Sequence, residues 1–467
     1  MQLPQIKFGT DGWRAVIARD YTFDNLARVT EATAQWLKAQ SDTPSVMLGY
    51  DCRFNGELFA RAVAAQLAAR EIRVFLSPGF VSTPMVSLAT MQRQCTAGIV
   101  ITASHNPPEY SGFKVKGAFG GPAYPSMIAE IEANVPADIP TVELPFEQLE
   151  QTEWIEYYDQ EALYINHLKQ SFDFKQIKES NFKVAYDAMY GAGQEAMRTL
   201  FPKAKLLHCE FNPSFRGQAP EPIERNLQEF KALMETGAYD FGLANDGDAD
   251  RIGLFDHRGV FIDSHHILLL LIHYLKQYKK MEGKVVVTFS VTSKVKTLCQ
   301  HYGIDLQVTK IGFKYIGEIM SKEEVLVGGE ESGGIAVAGH TPERDGIFIG
   351  LTLLEFMARS GKRLPELIQE VYDIVGPFAM GRNDLHLTNE KKLATMEQCK
   401  NGEFSAFGPY EITETENIDG YKFHFASGGW VMIRPSGTEP VLRVYAEGKD
   451  KAEVEDILAK TVASIQQ

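Results

Sequence analysis

The sequence predicts an α/β protein of several domains, and three observations lead to this prediction. The chain has 467 residues, more than one hydrophobic core of roughly 100–200 residues normally serves. Patterns typical of amphipathic helices and short buried strands alternate repeatedly over residues 1–372, as in α/β folds. Over residues 373–467, strand patterns follow one another like hairpins before one terminal helix, which predicts a smaller α+β domain.

Composition and charge exclude several classes of protein. The chain is 44% hydrophobic and 23% charged, as in ordinary globular proteins, and no apolar run approaches the roughly 20 residues that span a bilayer. The N-terminal residues do not resemble a secretory signal, and the five cysteines show no C-x-x-C spacing. We therefore expect a cytoplasmic protein with reduced thiols and no membrane partner. A net charge of -14 argues against nucleic acid as a partner.

The alternation of patterns predicts four domains. In each of the first three, a predicted strand runs into a polar loop that contains or adjoins glycine, and α/β folds tend to bind ligands at such strand ends. The proposed boundaries place three similar α/β domains at residues 1–150, 151–258 and 259–372, and the α+β domain at residues 373–467.

The first polar loop, TASHNPPEYSGFK, covers residues 102–114 and follows a predicted buried strand. Ser104 on its tight turn, with His105 beside it and Lys114 ten residues on, is a plausible nucleophile with cationic help. An equally open interpretation is that the serine merely caps the turn. The G-x-S-x-G elbow of serine hydrolases is absent.

The second loop, NDGDADR at residues 245–251, places the carboxylates of Asp246, Asp248 and Asp250 close together. Such a cluster is costly unless a hard cation neutralises it, and Mg²⁺ bound beside a phosphate is the simplest solution. The glycine and glutamate of an EF-hand are missing at the sixth and twelfth positions. A solvated acidic turn remains the alternative.

Two further loops contain groups that bind sugars and phosphates. GGEESGG at residues 328–334 offers carboxylates and a hydroxyl among glycines, which suits sugar hydroxyls but also occurs in surface turns. RPSGTEP at residues 434–440 offers a guanidinium, hydroxyls and backbone N–H groups, which suits a phosphate but also a hairpin turn. A nucleotide-binding P-loop is absent from the sequence.

Together the four loops indicate phosphoryl transfer on a sugar phosphate without a nucleotide. With FGTDGWR at residues 8–14, the motifs TASHNP, DGDADR, GEES and RPSGTEP occur in this order along nearly the whole chain. In this respect the chain resembles the α-D-phosphohexomutase family of phosphoglucomutases and phosphomannomutases. The resemblance implies three similar α/β domains and a smaller C-terminal domain around a central cleft.

The resemblance also implies roles for individual residues. Ser104 would carry the phosphoryl group and, with the aspartates of the second loop, bind the metal. A set of basic residues would surround the transferring group, with Lys114 as the proton acceptor or donor, and the remaining residues would bind the substrate. By motif, these are the catalytic residues Ser104, His105, Lys114, Arg14 and Arg251, the metal ligands Ser104, Asp246, Asp248 and Asp250, the sugar-binding residues Glu330, Ser332 and Lys314, and the phosphate-binding residues Arg434, Ser436, Gly437 and Thr438.

We therefore expect a phosphoglucomutase, monomeric or homodimeric, that uses Mg²⁺ and forms glucose 1,6-bisphosphate. Nearby cations would favour the neutral form that Lys114 needs as a base. At the second glutamate of GEES the chain resembles glucose-specific relatives, whereas glucosamine mutases tend to have glutamine at this position. Gly334 stands where many dual-specificity bacterial enzymes have histidine, so mannose phosphates remain an alternative, as does a noncatalytic sugar-phosphate-binding protein.

Overall fold

A computed structural model describes residues 5–9, 11–141, 144–435 and 441–466, and the chain forms two compact units. The first contains Met1–Val286 and Gly312–Ile368, and the second contains Val287–Ile311 and Gln369–Gln467. Within the described ranges, every helix is too short or too polar to cross a bilayer. All five cysteines are free thiols, and only Cys209 is partly exposed.

The first sheet belongs to the first unit and has six strands. Its elements are β1 (Trp13–Val16), α1 (Phe23–Gln40), β2 (Ser45–Tyr50), α2 (Gly56–Ala69), β3 (Arg73–Leu76), α3 (Thr83–Gln92), β4 (Ala97–Ile101), β5 (Tyr110–Gly117), α4 (Pro125–Ala133), α5 (Phe146–Leu149) and β6 (Ile155–Tyr157). The order is β1-β5-β4-β2-β3-β6. The four strands β4, β2, β3 and β6 run parallel, and β1 and β5 extend the sheet in antiparallel pairs.

Local sequence explains how this sheet and its helices form. The buried strand predicted just before the first polar loop coincides with β4. The side chains of Thr22 and Ser82 accept N–H bonds at the beginnings of α1 and α3, as N-cap residues do. Strand β5 was not predicted, although it places Lys114 opposite Val100 of β4. The loop with Ser104 therefore joins two neighbouring antiparallel strands.

The second sheet also belongs to the first unit. Its elements are α6 (Gln160–Ser171), α7 (Phe174–Glu179), β7 (Val184–Asp187), α8 (Gln194–Leu200), β8 (Lys205–Leu207), two single 3₁₀ turns (Phe215–Gly217 and Glu224–Asn226), α9 (Gln228–Glu235), β9 (Phe241–Asn245), β10 (Ile252–Asp256) and β11 (Phe261–Ile262). The strand order is β11-β10-β9-β7-β8. Because β9 and β10 are antiparallel neighbours, the acidic loop between them lies at one end of this pair.

The third sheet has four strands in the order β13-β12-β14-β15. Its region contains α10 (Ser264–His273), a π-helical turn (Tyr274–Tyr278), β12 (Lys284–Thr288), α11 (Lys294–Tyr302), β13 (Leu306–Thr309), α12 (Phe313–Met320), β14 (Val325–Gly329), β15 (Ile335–Val337), α13 (Gly346–Ser360) and α14 (Leu364–Val375). The chain passes between the two units within β12. The GEES loop joins β14 to its antiparallel neighbour β15.

The fourth sheet lies in the second unit and is antiparallel throughout. Its elements are β16 (Ala379–His386), α15 (Asn389–Asn401), β17 (Ala406–Phe407), β18 (Tyr410–Glu416), β19 (Tyr421–Phe425), β20 (Trp430–Pro435), β21 (Val441–Gly448) and α16 (Lys451–Gln466). The order is β16-β21-β20-β19-β18-β17. Helix α16 buries Val454, Ile457 and Leu458 in its core. This arrangement confirms the predicted α+β domain at the C-terminal end of the chain.

Candidate active site

Ser104 and the three aspartates, predicted from separate loops, lie together in the first unit. The Ser104 hydroxyl donates a hydrogen bond of 2.7 Å to Asp246 Oδ2, and Ser104 is only 1% exposed. Its backbone is left-handed, with φ +52°, a conformation that L-residues rarely adopt outside tight turns and functional sites. The loop therefore holds a buried hydroxyl directly against the acidic cluster.

The acidic loop is buried, so its interpretation as a solvated surface turn is wrong. Asp246, Asp248 and Asp250 are all 0% exposed, and one oxygen from each lies within 4.8 Å of the others. Burial and the charges of Asp250 and Asp248 raise the pKa of Asp246 well above its ordinary value. Three carboxylates at this spacing require positive charge for their full ionisation.

These residues fit a divalent cation. Among the described residues, one oxygen each of Asp248 and Asp250 is buried without a hydrogen-bond donor, so both retain lone pairs for a ligand. Oxygen ligands from carboxylates suit Mg²⁺, and the Ser104 hydroxyl adjoins the same cluster. The side chain of Thr83 fixes Asp248 from the other side, because its hydroxyl donates to Asp248 Oδ2.

Lys114 lies within this cluster and is fully buried. Its ammonium group is 2.9 Å from Asp11, 2.8 Å from Asp248 and 3.1 Å from Asp250. Burial lowers the pKa of Lys114, but the three carboxylates outweigh burial and raise this pKa above its ordinary value. The expectation that neighbouring cations would keep Lys114 neutral is therefore wrong, because carboxylates surround it.

The other predicted basic residues border the same loops. Arg14 donates a hydrogen bond of 2.7 Å to the Asn106 side chain, and the backbone N–H of Arg251 donates to Asp246 Oδ1 at 2.9 Å. His105 Nδ1 lies 3.4 Å from Ser104 Oγ. Burial, together with the charges of Arg251 and Arg14, lowers the pKa of His105 well below its ordinary value, so its ring is neutral at pH 7.

The GEES loop adjoins the acidic loop through its backbone. The Ile252 N–H donates to the Gly333 carbonyl at 3.2 Å, and Ser332 is half-buried. Glu330 is 6% exposed, and burial raises its pKa to about 7 despite the opposing charge of Arg344. Such a carboxyl group can either accept or donate a hydrogen bond near neutral pH.

Lys314 belongs to the first unit and the described part of the fourth loop, Arg434, belongs to the second. Lys314 lines a cavity of about 190 Å³ in the first unit together with Asp11 and Gly12. Arg434 belongs to the second unit, where its Nε lies 3.1 Å from Asp419. The remaining residues predicted to bind phosphate, Ser436, Gly437 and Thr438, lie outside the described residues.

Two charged residues of the cluster, Asp11 and Arg344, were not predicted to have a role. The Arg344 guanidinium lies 2.8 Å from Asp250 and also hydrogen-bonds Asp11. Asp11 belongs to the FGTDGWR motif, and Arg344 stands just before the apolar helix α13. A charged residue beside a buried apolar run was the one signal in the sequence that could have identified Arg344.

The peptide of Gly247 packs directly against the loop that contains Ser104. A Cβ atom on Gly247 would lie 2.6 Å from the Ser104 carbonyl oxygen, closer than side-chain carbons approach oxygen in folded proteins. Glycine is therefore required between Asp246 and Asp248 for the two loops to meet.

Comparisons with known proteins agree along the whole length of the chain. Models of the phosphoglucomutase/phosphomannomutase family match residues 5–140 (alpha/beta/alpha domain I), 162–259 (domain II), 263–375 (domain III) and 385–464 (C-terminal domain). A phosphoglucosamine mutase of Carboxydothermus hydrogenoformans is 31% identical over 98% of this chain and 99% of its own.

Two other proteins are similar over nearly the same length. A phosphoglucomutase/phosphomannomutase of Thermococcus kodakarensis is 29% identical over 97% of this chain and 96% of its own. The crystal structure of a candidate phosphomannomutase from Thermus thermophilus is 32% identical, covers 100% of both chains and superposes with a TM-score of 0.88. The chain therefore belongs to the phosphoglucomutase/phosphomannomutase family, within the α-D-phosphohexomutases, and is a phosphohexomutase of the isomerase class.

Proposed function

We propose that the chain interconverts glucose 1-phosphate and glucose 6-phosphate through a phosphoserine at Ser104 and a glucose 1,6-bisphosphate intermediate. One observation carries the proposal: the buried Ser104 hydroxyl lies 2.7 Å from Asp246 in a cluster of three buried aspartates. A phosphoryl carrier needs a hydroxyl held next to groups that recruit positive charge.

Each half-reaction moves one phosphoryl group. In the first, the bond between phosphorus and Ser104 Oγ breaks, and a bond to the free sugar hydroxyl oxygen forms. The sugar hydroxyl loses its proton, and Ser104 Oγ gains one. Lys114, which its carboxylate neighbours hold in the charged form, is suited to donate a proton to Ser104 Oγ, and its neutral amine can then take the proton that the sugar hydroxyl loses. The second half-reaction returns the other phosphate of the bisphosphate to Ser104 after the sugar turns over.

Asp246, Asp248 and Asp250 would hold Mg²⁺ together with the phosphate on Ser104. When bound, the ion supplies positive charge that stabilises the transferring phosphoryl group. Arg14 and Arg251 are placed near the serine loop and the acidic loop, where guanidinium groups can bind phosphoryl oxygens. The neutral ring of His105 can donate or accept a hydrogen bond beside Ser104.

Glu330, Ser332 and Lys314 are proposed to bind the sugar. The carboxyl group of Glu330 is oriented by the Gly312 N–H, which donates to Glu330 Oε1 at 3.1 Å. Arg434 and residues 436–438 are proposed to bind the phosphate that does not react. Because the bisphosphate must return to Ser104 by its other end, this phosphate site would accept either end of the substrate.

Intact mass and turnover test the proposal. We expect a fraction of the purified protein to be about 80 Da heavier, because of one phosphate on Ser104, and to convert glucose 1-phosphate when Mg²⁺ and glucose 1,6-bisphosphate are supplied. Ser104→Ala should abolish both signals. The matched control is Ser360→Ala, which removes a hydroxyl bonded at 2.8 Å to a helix carbonyl outside the site. Full activity in Ser104→Ala would disprove the phosphoserine role.

A second candidate substrate is glucosamine phosphate, because several of the similar proteins are named phosphoglucosamine mutases. The second glutamate of GEES, Glu331, supports glucose instead. Parallel measurements of kcat/KM on glucose, glucosamine and mannose 1-phosphates decide among the three. Glucose should have the highest value, and a higher value for either of the others would refute the assignment of the sugar.

We also propose that the protein acts in the cytoplasm as a monomer or homodimer, in keeping with its free cysteines. The domain boundaries after residues 150, 258 and 372 stay predictions. Limited proteolysis and light scattering would test the boundaries and the oligomeric state.

A further inference from the structure

Arg53, which follows strand β2, binds the loop that contains Ser104 through four backbone carbonyls. Its Nη2 donates to the carbonyls of Ser104 and Asn106 at 2.6 Å each, and its Nη1 donates to those of Pro107 and Tyr110 at 2.9 Å each. Arg53 is 1% exposed. Buried carbonyls need donors, and this loop obtains four of its donor bonds from a single guanidinium.

The neighbouring Asp51 holds the same loop from its N–H side. The Ser104 N–H donates to Thr102 Oγ1 at 2.8 Å, and the Thr102 hydroxyl donates to Asp51 Oδ2 at 2.5 Å. Asp51 also lies 3.3 Å from Arg53 Nε. The N–H and the carbonyl of Ser104 are thus both connected to one buried ion pair.

Asp51 and Arg53 hold a residue whose backbone conformation is unfavourable. Ser104 has φ +52°, and a residue with a side chain keeps this left-handed conformation only where its surroundings fix it. The ring of Phe215 lies 5.1 Å from the Arg53 guanidinium carbon and covers it from another part of the first unit. The guanidinium is therefore itself fixed in position.

We propose that Asp51 and Arg53 are positioning residues for the phosphoryl-transfer step. They hold the Ser104 hydroxyl at its 2.7 Å contact with Asp246 through the backbone of the loop and Thr102. The inference rests on the proposed role of Ser104 as phosphoryl carrier. A reacting atom displaced by about 1 Å can lose roughly 100-fold in rate, so loss of this support should slow transfer more than it weakens substrate binding.

Arg53→Lys is the direct test. Lysine keeps the charge but lacks the planar fork that binds two carbonyls on each side. In single-turnover quench experiments, we expect transfer from phosphorylated Ser104 to glucose 1-phosphate to slow by about 30-fold or more, while KM changes less than about threefold. The matched control is Arg28→Lys, since Arg28 is a buried arginine of helix α1 that donates to the Pro136 carbonyl at 2.7 Å. Its transfer rate should stay at the wild-type value.

A folded Arg53→Lys protein with the wild-type transfer rate would overturn the inference, as would an equal loss of rate in Arg28→Lys. Where Arg53→Lys does not fold, Thr102→Val tests whether transfer depends on the connection between Asp51 and Ser104. It removes the hydroxyl between Asp51 and Ser104 with little change in shape, and transfer should slow by about tenfold, whereas Thr102→Ser should retain the wild-type rate. Equal rates in these two variants would overturn the inference. A wild-type chain that never carries phosphate on Ser104 would overturn the proposed function, and the inference with it.

Discussion

Gly247→Ala tests whether phosphoryl transfer depends on direct contact between the serine loop and the acidic loop. The new Cβ would lie 2.6 Å from the Ser104 carbonyl oxygen and 3.1 Å from Pro220 Cγ. To restore ordinary van der Waals separation, the two loops must move apart by roughly 0.5–1 Å. The contact involves a backbone oxygen, so no side-chain rotation can relieve it.

A displacement of this size should reduce kcat by about 10- to 100-fold, because Ser104 Oγ moves away from the aspartates. Overpacking of this kind costs about 1–3 kcal/mol, so the thermal unfolding midpoint should fall by only a few degrees. The assay is glucose 1-phosphate turnover at saturating Mg²⁺, with circular dichroism for the fold. Gly79→Ala is the control, since its Cβ would meet nothing within 4 Å. Wild-type kcat in Gly247→Ala would refute the close-contact argument.

Three further predictions concern charge. Mg²⁺ should raise the unfolding midpoint of the Ser104-phosphorylated form more than that of the unphosphorylated form, because phosphate adds negative charge beside the aspartates; equal shifts would contradict this. Burial, with Glu195 and Asp159 nearby, raises the pKa of Glu161 from its ordinary 4.5 to about 7. At Glu161 the folded state thus binds more protons than the unfolded state in this range, so the contribution of this group to the free energy of unfolding falls as pH rises from 4.5 to 7. Glu161→Gln should therefore raise the unfolding midpoint at pH 8 but not at pH 4, and an equal rise at both pH values would be inconsistent with it. Arg344→Leu removes one of the cations beside Asp250 and should lower the free energy of unfolding by about 3–5 kcal/mol, measured by urea unfolding. Arg344→Lys, which keeps the charge, should lose less, and equal losses in the two variants would refute the ion-pair argument.

The fold was predictable from the sequence where a local pattern fits only one environment in a folded protein. Apolar runs such as Ala97–Ile101 can only be buried, and the hairpin succession near the C-terminal end of the chain matches the antiparallel fourth sheet. Strand β5 was not predicted because its sequence, YSGFKVKG, contains Lys114 and Lys116, which local patterns assign to the surface. Both lysines are fully buried, because carboxylates from distant loops neutralise them.

The site was predictable where its residues are close in sequence. Spacing alone brought Asp246, Asp248 and Asp250 together, since the two flanking strands fix the loop between them. The pair of Arg344 with Asp11 spans 333 residues, and nothing local in either segment indicates the other. The charge of the groups around Lys114 was also predicted wrongly. Its nearest neighbours are Asp11 and the aspartates of the acidic loop, which lie far from its own strand in the sequence.

The charge balance of the cluster indicates that the phosphate proposed for Ser104 would need an additional cation. Lys114 and Arg344 already pair with Asp248, Asp250 and Asp11, whereas Asp246 contacts the hydroxyl of Ser104 and has a pKa raised by burial and its acidic neighbours. A phosphate on that hydroxyl would place up to two more negative charges against the least neutralised carboxylate. Asp246 and a phosphate on Ser104 can both be ionised in so buried a site only where additional positive charge is present. On the proposed role of Ser104, the phosphorylated protein should therefore depend on a divalent ion more than the unphosphorylated protein does.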